Sequence, residues 1–386
     1  MQARGADPCG APPLVAVILP PREGFGPGRT GALGMIAHRL LATPGFRTAV
    51  IGGPQSGPVF DNAPFQAVRP AIWWPGNVNL RFAASVARTL RRMRPALIEV
   101  HNRPEIALAL AARFPDTPVT VLLNNDPQAM REARRPGERA ALLRRLDRVM
   151  VASDWLRGRM LDGVATPSQS PFVLHNCIDL AALPPPAARE KLILFAGRLV
   201  PEKGADSFVA ACAAALPALP GWRAEMIGAD RFRADSPDTD FIRALRQAAG
   251  AGGVALLGYR DHPEVLAAMA RAAIVVVPSR WQEPFGLTAV EALACGAALI
   301  CSRRGGLPEI GGEVAVYADP DDPLALAEAI RDLALDDARR RALEQAGPLR
   351  ARQFDVTLAA TRLAALRREV LAERAVRIER LAPASI

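Results

Sequence analysis

Short apolar runs rich in β-branched residues alternate along the chain with longer Ala/Leu/Arg stretches of helical period, the pattern of βα units on parallel sheets. In the first half the runs Leu14 to Leu19, Thr48 to Ile51, Leu97 to Val100, Val119 to Leu123 and Arg148 to Ala152 are expected as strands. In the second half the expected strands are Leu192 to Ala196, Ala224 to Ile227, Val254 to Leu257, Ile274 to Val277, Ala298 to Cys301 and Val314 to Tyr317. Two sets of strands predict two doubly wound α/β domains, each with its own sheet. Between the sets lies Leu183-Pro184-Pro185-Pro186, which neither continues a helix nor pairs centrally in a sheet and so reads as a linker. The expected domains are residues 1–185 and 186–355, followed by 356–386 as a terminal helical segment. After Pro348 the Ala/Leu/Arg pattern reads as helix through Arg380. Ligands in such sheets bind at the carboxyl ends of the strands, so a cleft between the domains is the expected place for chemistry.

Composition narrows the class. The chain has 386 residues, half of them hydrophobic, which excludes a disordered protein and suits two cores rather than one. No apolar run of about 18 residues is free of charge or proline, so no transmembrane helix is expected. Met1 to Pro13 lacks the basic start and apolar stretch of a secretory signal, which points to the cytoplasm. Cys9, Cys177, Cys212, Cys295 and Cys301 are odd in number without a Cys-x-x-Cys pair, and are expected as small buried hydrophobes.

The net charge of +9 is confined to one half: residues 1–180 hold 22 Arg against 13 acids, whereas the remainder is balanced. The excess falls on helical stretches, one with Arg81, Arg88, Arg91, Arg92 and Arg94, the next with Arg131, Arg134, Arg135, Arg139, Arg144, Arg145 and Arg148. Docking on an anionic membrane surface is the expectation drawn from this, beside the ordinary alternative of solvated faces. An aromatic content of 5% offers little for base stacking, so nucleic acid is not an expected partner. Only two lysines, Lys191 and Lys203, stand beside 46 arginines, which marks Lys203 as a position that prefers a compact ammonium.

Three strand-end loops carry the candidate chemistry. In Phe195-Ala196-Gly197-Arg198-Leu199-Val200-Pro201-Glu202-Lys203-Gly204, two cations five residues apart can both reach a diphosphate; the alternative is an exposed loop pairing with Glu202. In Pro278 to Gly296, Glu283 lies in a loop, the amides of Phe285, Gly286 and Leu287 open a helix, and Glu291 follows about a turn later. These groups suit sugar hydroxyls, phosphate oxygens and a ribose diol, although either Glu alone also suits capping. In Arg303-Arg304-Gly305-Gly306-Leu307-Pro308-Glu309 the paired glycines permit a close backbone approach or a simple turn. Asp238-Thr239-Asp240 has the form of a metal-binding Asp-x-Asp, but precedes a helix where acids cap.

Gly-Arg-x-x-x-x-Lys-Gly, then Glu-Pro-Phe-Gly-x-x-x-x-Glu-Ala, then Gly-Gly-x-Pro-Glu, in this order and spacing, resembles the family 4 glycosyltransferases of the GT-B fold, most closely from Lys191 to Glu313. The resemblance implies two Rossmann-like domains facing a cleft, a final helix returning to the N-terminal domain, retention of anomeric configuration and no essential metal. It implies that Arg198 and Lys203, with Gly197, bind the phosphates of a UDP-, GDP- or ADP-linked sugar. Glu283 then meets the donor sugar with Phe285, Gly286 and Leu287, and Glu291 the ribose. Pro20 to Ala32, with Gly28 and Gly31, resembles the family's glycine loop over the diphosphate, and His101 a histidine at the donor sugar or reacting centre; a strand-end His is otherwise structural. Asn124-Asn125-Asp126 stands where relatives show His-Asn-Asp, leaving Asn125 and Asp126 as cleft candidates. Asn176-Cys177-Ile178-Asp179 has Cys where relatives place Gly, which puts the local turn geometry in question. The implied acceptor is a glycan or a lipid-linked precursor of cell-surface polysaccharide; a catalytically silent scaffold binding a nucleotide sugar or a partner protein is the alternative.

Overall fold

The computed structural model describes residues 11–28, 30–231 and 236–381, with side chains up to residue 377. Cys9, Arg29, most of the Met1 to Pro13 segment and the last five residues of the terminal segment lie outside the described residues. The chain forms two compact units, one from the chain up to Asn176 together with the segment from Val356, the other Cys177–Asp355. The chain passes between them ahead of the Pro184–Pro186 run. Among the described residues no helix is long and apolar enough to cross a membrane.

In the first unit the strands are β1 (Leu14–Ile18), β2 (Arg47–Gly52), β3 (Phe65–Ala67), β4 (Leu97–His101), β5 (Val119–Leu123), β6 (Arg148–Val151) and β7 (Phe172–Val173). Their helices are α1 (Ala32–Arg39), α2 (Val78–Met93), α3 (Pro104–Ala111), α4 (Pro136–Arg145) and α5 (Asp154–Leu161). The sheet order is β3-β2-β1-β4-β5-β6-β7, parallel throughout. Helices cover both faces, so the central strands are apolar at nearly every position instead of alternating. The order reverses between β1 and β4, which pair as Val15 with Leu97 through Ile18 with Val100. A doubly wound sheet opens its ligand crevice at such a reversal, beyond the strands' carboxyl ends.

The second unit repeats the plan with β8 (Glu190–Ala196), β9 (Arg223–Ile227), β10 (Val254–Gly258), β11 (Ala272–Val277), β12 (Ala298–Cys301) and β13 (Ala315–Tyr317). The order is β10-β9-β8-β11-β12-β13, again all parallel, with the reversal between β8 and β11. Its helices are α6 (Ala205–Ala215), α7 (Asp240–Ala251), α8 (His262–Arg271), α9 (Leu287–Ala294), α10 (Leu307–Gly311), α11 (Pro323–Leu335) and α12 (Asp337–Ala351). Ile193, Phe195, Phe208, Met226, Ile274 and Ile330 belong to one buried cluster on this sheet.

The helical reading after Pro348 is corrected in one respect: it is not continuous. Pro348 lies inside α12, and the chain breaks at the 3-10 turn Arg352–Phe354 before α13 (Val356–Leu381) begins. The break coincides with a pin to the start of the unit, where the Ile178 amide donates to the Phe354 carbonyl at 3.0 Å. From Val356 the helix belongs to the first unit, and three acid–base contacts hold it there. Arg367 grips Glu99 of β4 through Nε and Nη2, each at 3.1 Å. Arg148 donates to Glu369 and Glu373 at 2.9 Å, and Arg374 to Asp147 at 3.2 Å.

Those contacts also revise the second arginine run. Arg139 is buried, donating to the carbonyls of Met160, Ala133 and Arg134, and Arg148 is committed to α13. Neither offers charge to an external surface. The four described cysteines form no disulfide with one another; Cys177, Cys212 and Cys301 are buried. Cys177 is not among the residues of positive φ, so it needs none of the freedom that a glycine would supply there.

Candidate active site in two strand-end clusters

In the second unit, the loops leaving β8 and β11 meet at the reversal point. Gly204 has φ +69°, and a Cβ there would lie 1.9 Å from the Pro278 carbonyl oxygen, so only glycine lets the loop after β8 close on the end of β11. The Glu202 carbonyl accepts from the amides of Arg280 and Trp281, both at 2.9 Å. This clamp brings Lys203 Nζ to 2.5 Å from Glu283 Oε1, which also accepts from Ser279 Oγ at 2.8 Å. Lys203 therefore pairs with Glu283 rather than with its neighbour Glu202.

The paired glycines of the third loop make a close approach. A Cβ on Gly305 would stand 2.1 Å from the Glu283 carbonyl oxygen, and that oxygen accepts from the Gly306 amide at 2.7 Å. Gly305 N–H donates to Gln282 Oε1 at 2.7 Å, so the loop seats the backbone of Glu283 from behind. Gly286, φ +112°, starts α9 and packs against Leu307, while Phe285 is buried edge-on to Phe354 at 5.5 Å. The first amides of α9 have no acceptor within the helix and give that end an anion-favouring field. Glu291, one turn in, accepts from or shares a proton with His262 Nε2 at 2.8 Å. Arg198 and Gly197 sit half-buried at the end of β8.

Sequence reasoning missed two residues here. Arg280 donates to Asp206 at 2.7 and 3.0 Å, to Asp321 at 2.9 Å and to the Pro201 carbonyl at 3.0 Å, tying three strand-end loops together. Its bonds to Asp206 raise its already high pKa. His262 is the second; as the first residue of α8 its pattern signals only a helix start. Asp238 and Asp240 are exposed and paired with Arg246 and Arg243; the cap of α7 is the Thr239 hydroxyl rather than either acid, and Asp240 lies in the first turn.

In the first unit, Glu99 and His101 lie two residues apart on β4 and so share a face. His101 Nε2 is 3.1 Å from Glu99 Oε1, and both side chains are buried. Burial alone would raise the Glu99 carboxyl, but the Arg367 guanidinium and His101 outweigh it and hold the pKa at about 2. An ionised carboxylate only accepts, so the proton of this contact belongs to Nε2 of His101. Nδ1 has no hydrogen-bond partner among the described residues, nor have Asn102 Nδ2 and both amide atoms of Asn124. Asn102 takes φ +55°, a left-handed conformation that Asn tolerates, and its Oδ1 accepts from the backbone amide of Asn124 at 3.1 Å, which leaves the Asn124 side chain unused.

The glycine loop after β1 adds Glu23, which sequence reasoning also missed. Its Oε1 accepts from the Gly34 amide at 3.1 Å, and a Cβ on Gly31 would come within 2.9 Å of it. Burial raises the pKa of Glu23, with the Gly34 bond and the charges of Arg103 and His101 opposing. Gly28, φ +67°, faces open space. Of the remaining cleft candidates, Asn125 is exposed, while Asp126 caps Gln128 at 2.9 Å and accepts from Arg159 at 2.8 and 3.0 Å. At this strand end the buried Asn124, not Asp126, has unused hydrogen-bonding capacity.

Comparison with known proteins agrees with this architecture. Residues 184–350 match the model of the glycosyl transferases group 1 family, and residues 36–182 that of glycosyltransferase family 4. The chain is 32% identical over 283 residues to the glycogen synthase of Mycobacterium tuberculosis, covering 66% of this chain and 64% of that protein. It is 32% identical over 222 residues to a D-inositol 3-phosphate glycosyltransferase of Segniliparus rotundus, covering 54% and 49% respectively. The chain thus spans less than two thirds of the length of these relatives. Among solved structures it is similar to sucrose-phosphate synthase of Thermosynechococcus elongatus (TM-score 0.76, 22% identity, 94% of this chain and 100% of that one). It is also similar to Anabaena HepE in complex with UDP (TM-score 0.73, 19% identity, 91% and 98%). With the two family models matched end to end on two parallel Rossmann-like sheets, the chain belongs to the family 4, group 1 glycosyltransferases and has their GT-B fold.

Proposed function

We propose that the chain is a retaining glycosyltransferase that moves a hexosyl group from a nucleotide diphosphate sugar to a glycan or lipid-linked acceptor, in the synthesis of cell-surface polysaccharide or lipopolysaccharide. The observation that carries this reading is the convergence of Lys203, Glu283 and the amino end of α9 beyond β8 and β11. Lys203 has three protons and gives one to Glu283, which leaves two for phosphate oxygens. As the bond between the sugar and the diphosphate breaks, its electron pair goes to the leaving phosphate oxygen, and Lys203 and Arg198 offset the growing charge. That is the role a divalent ion plays elsewhere, so the reaction is expected to run without one. Glu283 accepts from donor-sugar hydroxyls and Glu291 from the ribose. Retention requires the acceptor oxygen to enter on the face that the diphosphate leaves, its proton passing to the departing phosphate.

The relatives named glycogen synthase and D-inositol 3-phosphate glycosyltransferase, and the HepE structure in complex with UDP, support a nucleotide-sugar donor and a hydroxylated acceptor. The donor is expected to be UDP-linked, with GDP- and ADP-linked sugars as the comparison arms of the test. Incubation with this panel should give slow release of the nucleoside diphosphate from one donor, abolished in Lys203→Ala. Tight binding of a donor with no release, and no transfer to any glycan or lipid-linked acceptor, would instead leave a silent nucleotide-sugar-binding scaffold.

A further inference from the structure

We infer that the loop between β3 and α2, with the carboxyl half of α2, is a docking surface for an anionic lipid bilayer, in which Ile72 and Trp73 enter the acyl boundary and Arg69, Arg88 and Arg92 bind lipid headgroup phosphates. The inference goes beyond the proposed activity and stands on the surface of the first unit alone.

Ile72 is 86% exposed and Trp73 63%, with Val78 beside them also exposed. Single exposed hydrophobes need no explanation, but three of them within seven residues make a local apolar projection. The projection is a built feature. The Ala71 amide donates to the Arg81 carbonyl at 3.0 Å and the Trp74 amide to the Ala71 carbonyl at 3.2 Å. Arg81 Nε donates back to the Trp74 carbonyl at 3.1 Å, so the base of the loop is tied to the first turn of α2. Trp74 stands edge-on to Trp73 at 5.6 Å and is covered by the Arg113 guanidinium at 5.1 Å. The turn therefore presents Ile72 and Trp73 on a fixed base.

The charge beside this projection has one sign. Arg69, Ile72, Trp73, Ser85, Arg88 and Arg92 line a shallow cavity of about 390 Å³ with no acid in its lining. Arg88 lies 4.9 Å over the Trp73 ring, and Arg91, Arg92 and Arg94 continue the exposed basic edge of α2, a helix without an acidic residue. Cations and a hydroxyl immediately behind an aliphatic and an indole side chain match the order of a bilayer surface, phosphate outside and acyl chain within. A soluble anionic glycan would use the arginines and could stack on Trp73, but gives Ile72 nothing to bury in. Of the two arginine runs along this half, only the one on α2 has this apolar companion. The other has lost Arg139 to the interior and Arg148 to α13.

The test is co-sedimentation of the full chain with vesicles of phosphatidylglycerol and of phosphatidylcholine, at low and high salt, beside Ile72→Ala/Trp73→Ala and Arg88→Gln/Arg92→Gln. The expected result is a preference for phosphatidylglycerol of at least tenfold at low salt. The apolar pair should lower partition about tenfold in both salts, and the arginine pair should remove the lipid preference and its salt dependence. All four positions are at the surface, and equal melting temperatures of the variants establish that the fold is intact. Equal binding to neutral vesicles, full binding by the Ile72→Ala/Trp73→Ala variant, or binding competed away by a soluble anionic polysaccharide would each overturn the proposal. Donor hydrolysis, measured without vesicles, is expected to be unchanged in every variant, which separates this surface from the reading of the active site.

Discussion

The carboxyl ends of the two sheets solve opposite problems. In the second unit the candidate side chains are already paired with each other: Lys203 and Ser279 with Glu283, His262 with Glu291, and Arg280 with Asp206 and Asp321. In the first unit one charged pair, Glu99 with Arg367, is buried beneath a set of polar atoms that have no partner among the described residues: His101 Nδ1, Asn102 Nδ2 and both ends of the Asn124 side-chain amide. A buried polar atom left without a hydrogen bond costs about 1–3 kcal/mol. The two ends therefore suit different ligands. The second unit holds balanced charges, which on the proposed function an incoming diphosphate would redistribute. The first holds polar atoms with unused hydrogen-bonding capacity, which suits a hydroxylated group.

The contrast predicts where the largest loss of stability lies. Arg367→Met strands the Glu99 charge inside the first unit and is expected to cost about 3–5 kcal/mol, read as a lower urea midpoint. The double variant Glu99→Gln/Arg367→Met should recover most of that loss, because no unpaired charge remains. An unchanged midpoint in the single variant would mean that the pair is hydrated and the comparison wrong. Acid probes the same pair. The Glu99 pKa is depressed from 4.5 to about 2, so its contribution is complete above pH 4.5 and disappears as pH falls towards 2. The Glu99→Gln/Arg367→Met variant should lose less stability across that window than the parent does.

Next in size is Lys203→Ala, expected to lower turnover by about a hundredfold to a thousandfold, on the order of 3–4 kcal/mol, with a smaller change in donor affinity. On the proposed mechanism the charge that Lys203 offsets grows towards the transition state, whereas binding in the ground state would retain Arg198 and the α9 amides. A loss confined to donor affinity would assign Lys203 to anchoring instead.

A smaller effect of opposite sign on stability and turnover is expected at Asn124. Asn124→Leu removes two unpartnered amide atoms from a buried position and should raise stability by about 1 kcal/mol while lowering transfer to the acceptor. Donor hydrolysis without acceptor should persist. If stability falls and transfer is untouched, the orphan amide is satisfied in solution and serves structure alone.

How much of this was legible in sequence follows the same division. All six strands of the second unit were readable, because buried parallel strands such as Ile274 to Val277 leave an apolar run that nothing else explains. The edge strands Phe65–Ala67 and Phe172–Val173 were not, being three and two residues long without a periodic signal. Lys203 and Glu283 were visible as members of spaced motifs on strand-end loops. Glu99, Glu23 and Arg367 were invisible as a set: a Glu within a strand, a Glu in a glycine loop and one Arg among many in a terminal helix acquire meaning only when the fold joins residues 268 apart. Asn124 read as a loss because sequence registers the missing histidine, not the unpartnered amide that replaces it.

The smallest expected effect is none at all, and it bears on the charged half of the comparison. If Arg198 and Lys203 neutralise the leaving diphosphate, dialysis against EDTA should leave the transfer rate unchanged within about twofold, the scatter expected of a rate unrelated to any ion. The Asp-x-Asp segment is not arranged as a rival: Asp238 and Asp240 are engaged by Arg246 and Arg243 on the exposed amino end of α7, where carboxylates offset the helix field. Asp238→Ala/Asp240→Ala should therefore alter helix stability little, as exposed ion pairs do, and turnover not at all. A rate lost to EDTA and restored only by magnesium or manganese would transfer the neutralising role to an ion. The Lys203–Glu283 pair would then be scaffolding for the loop rather than the means of diphosphate departure.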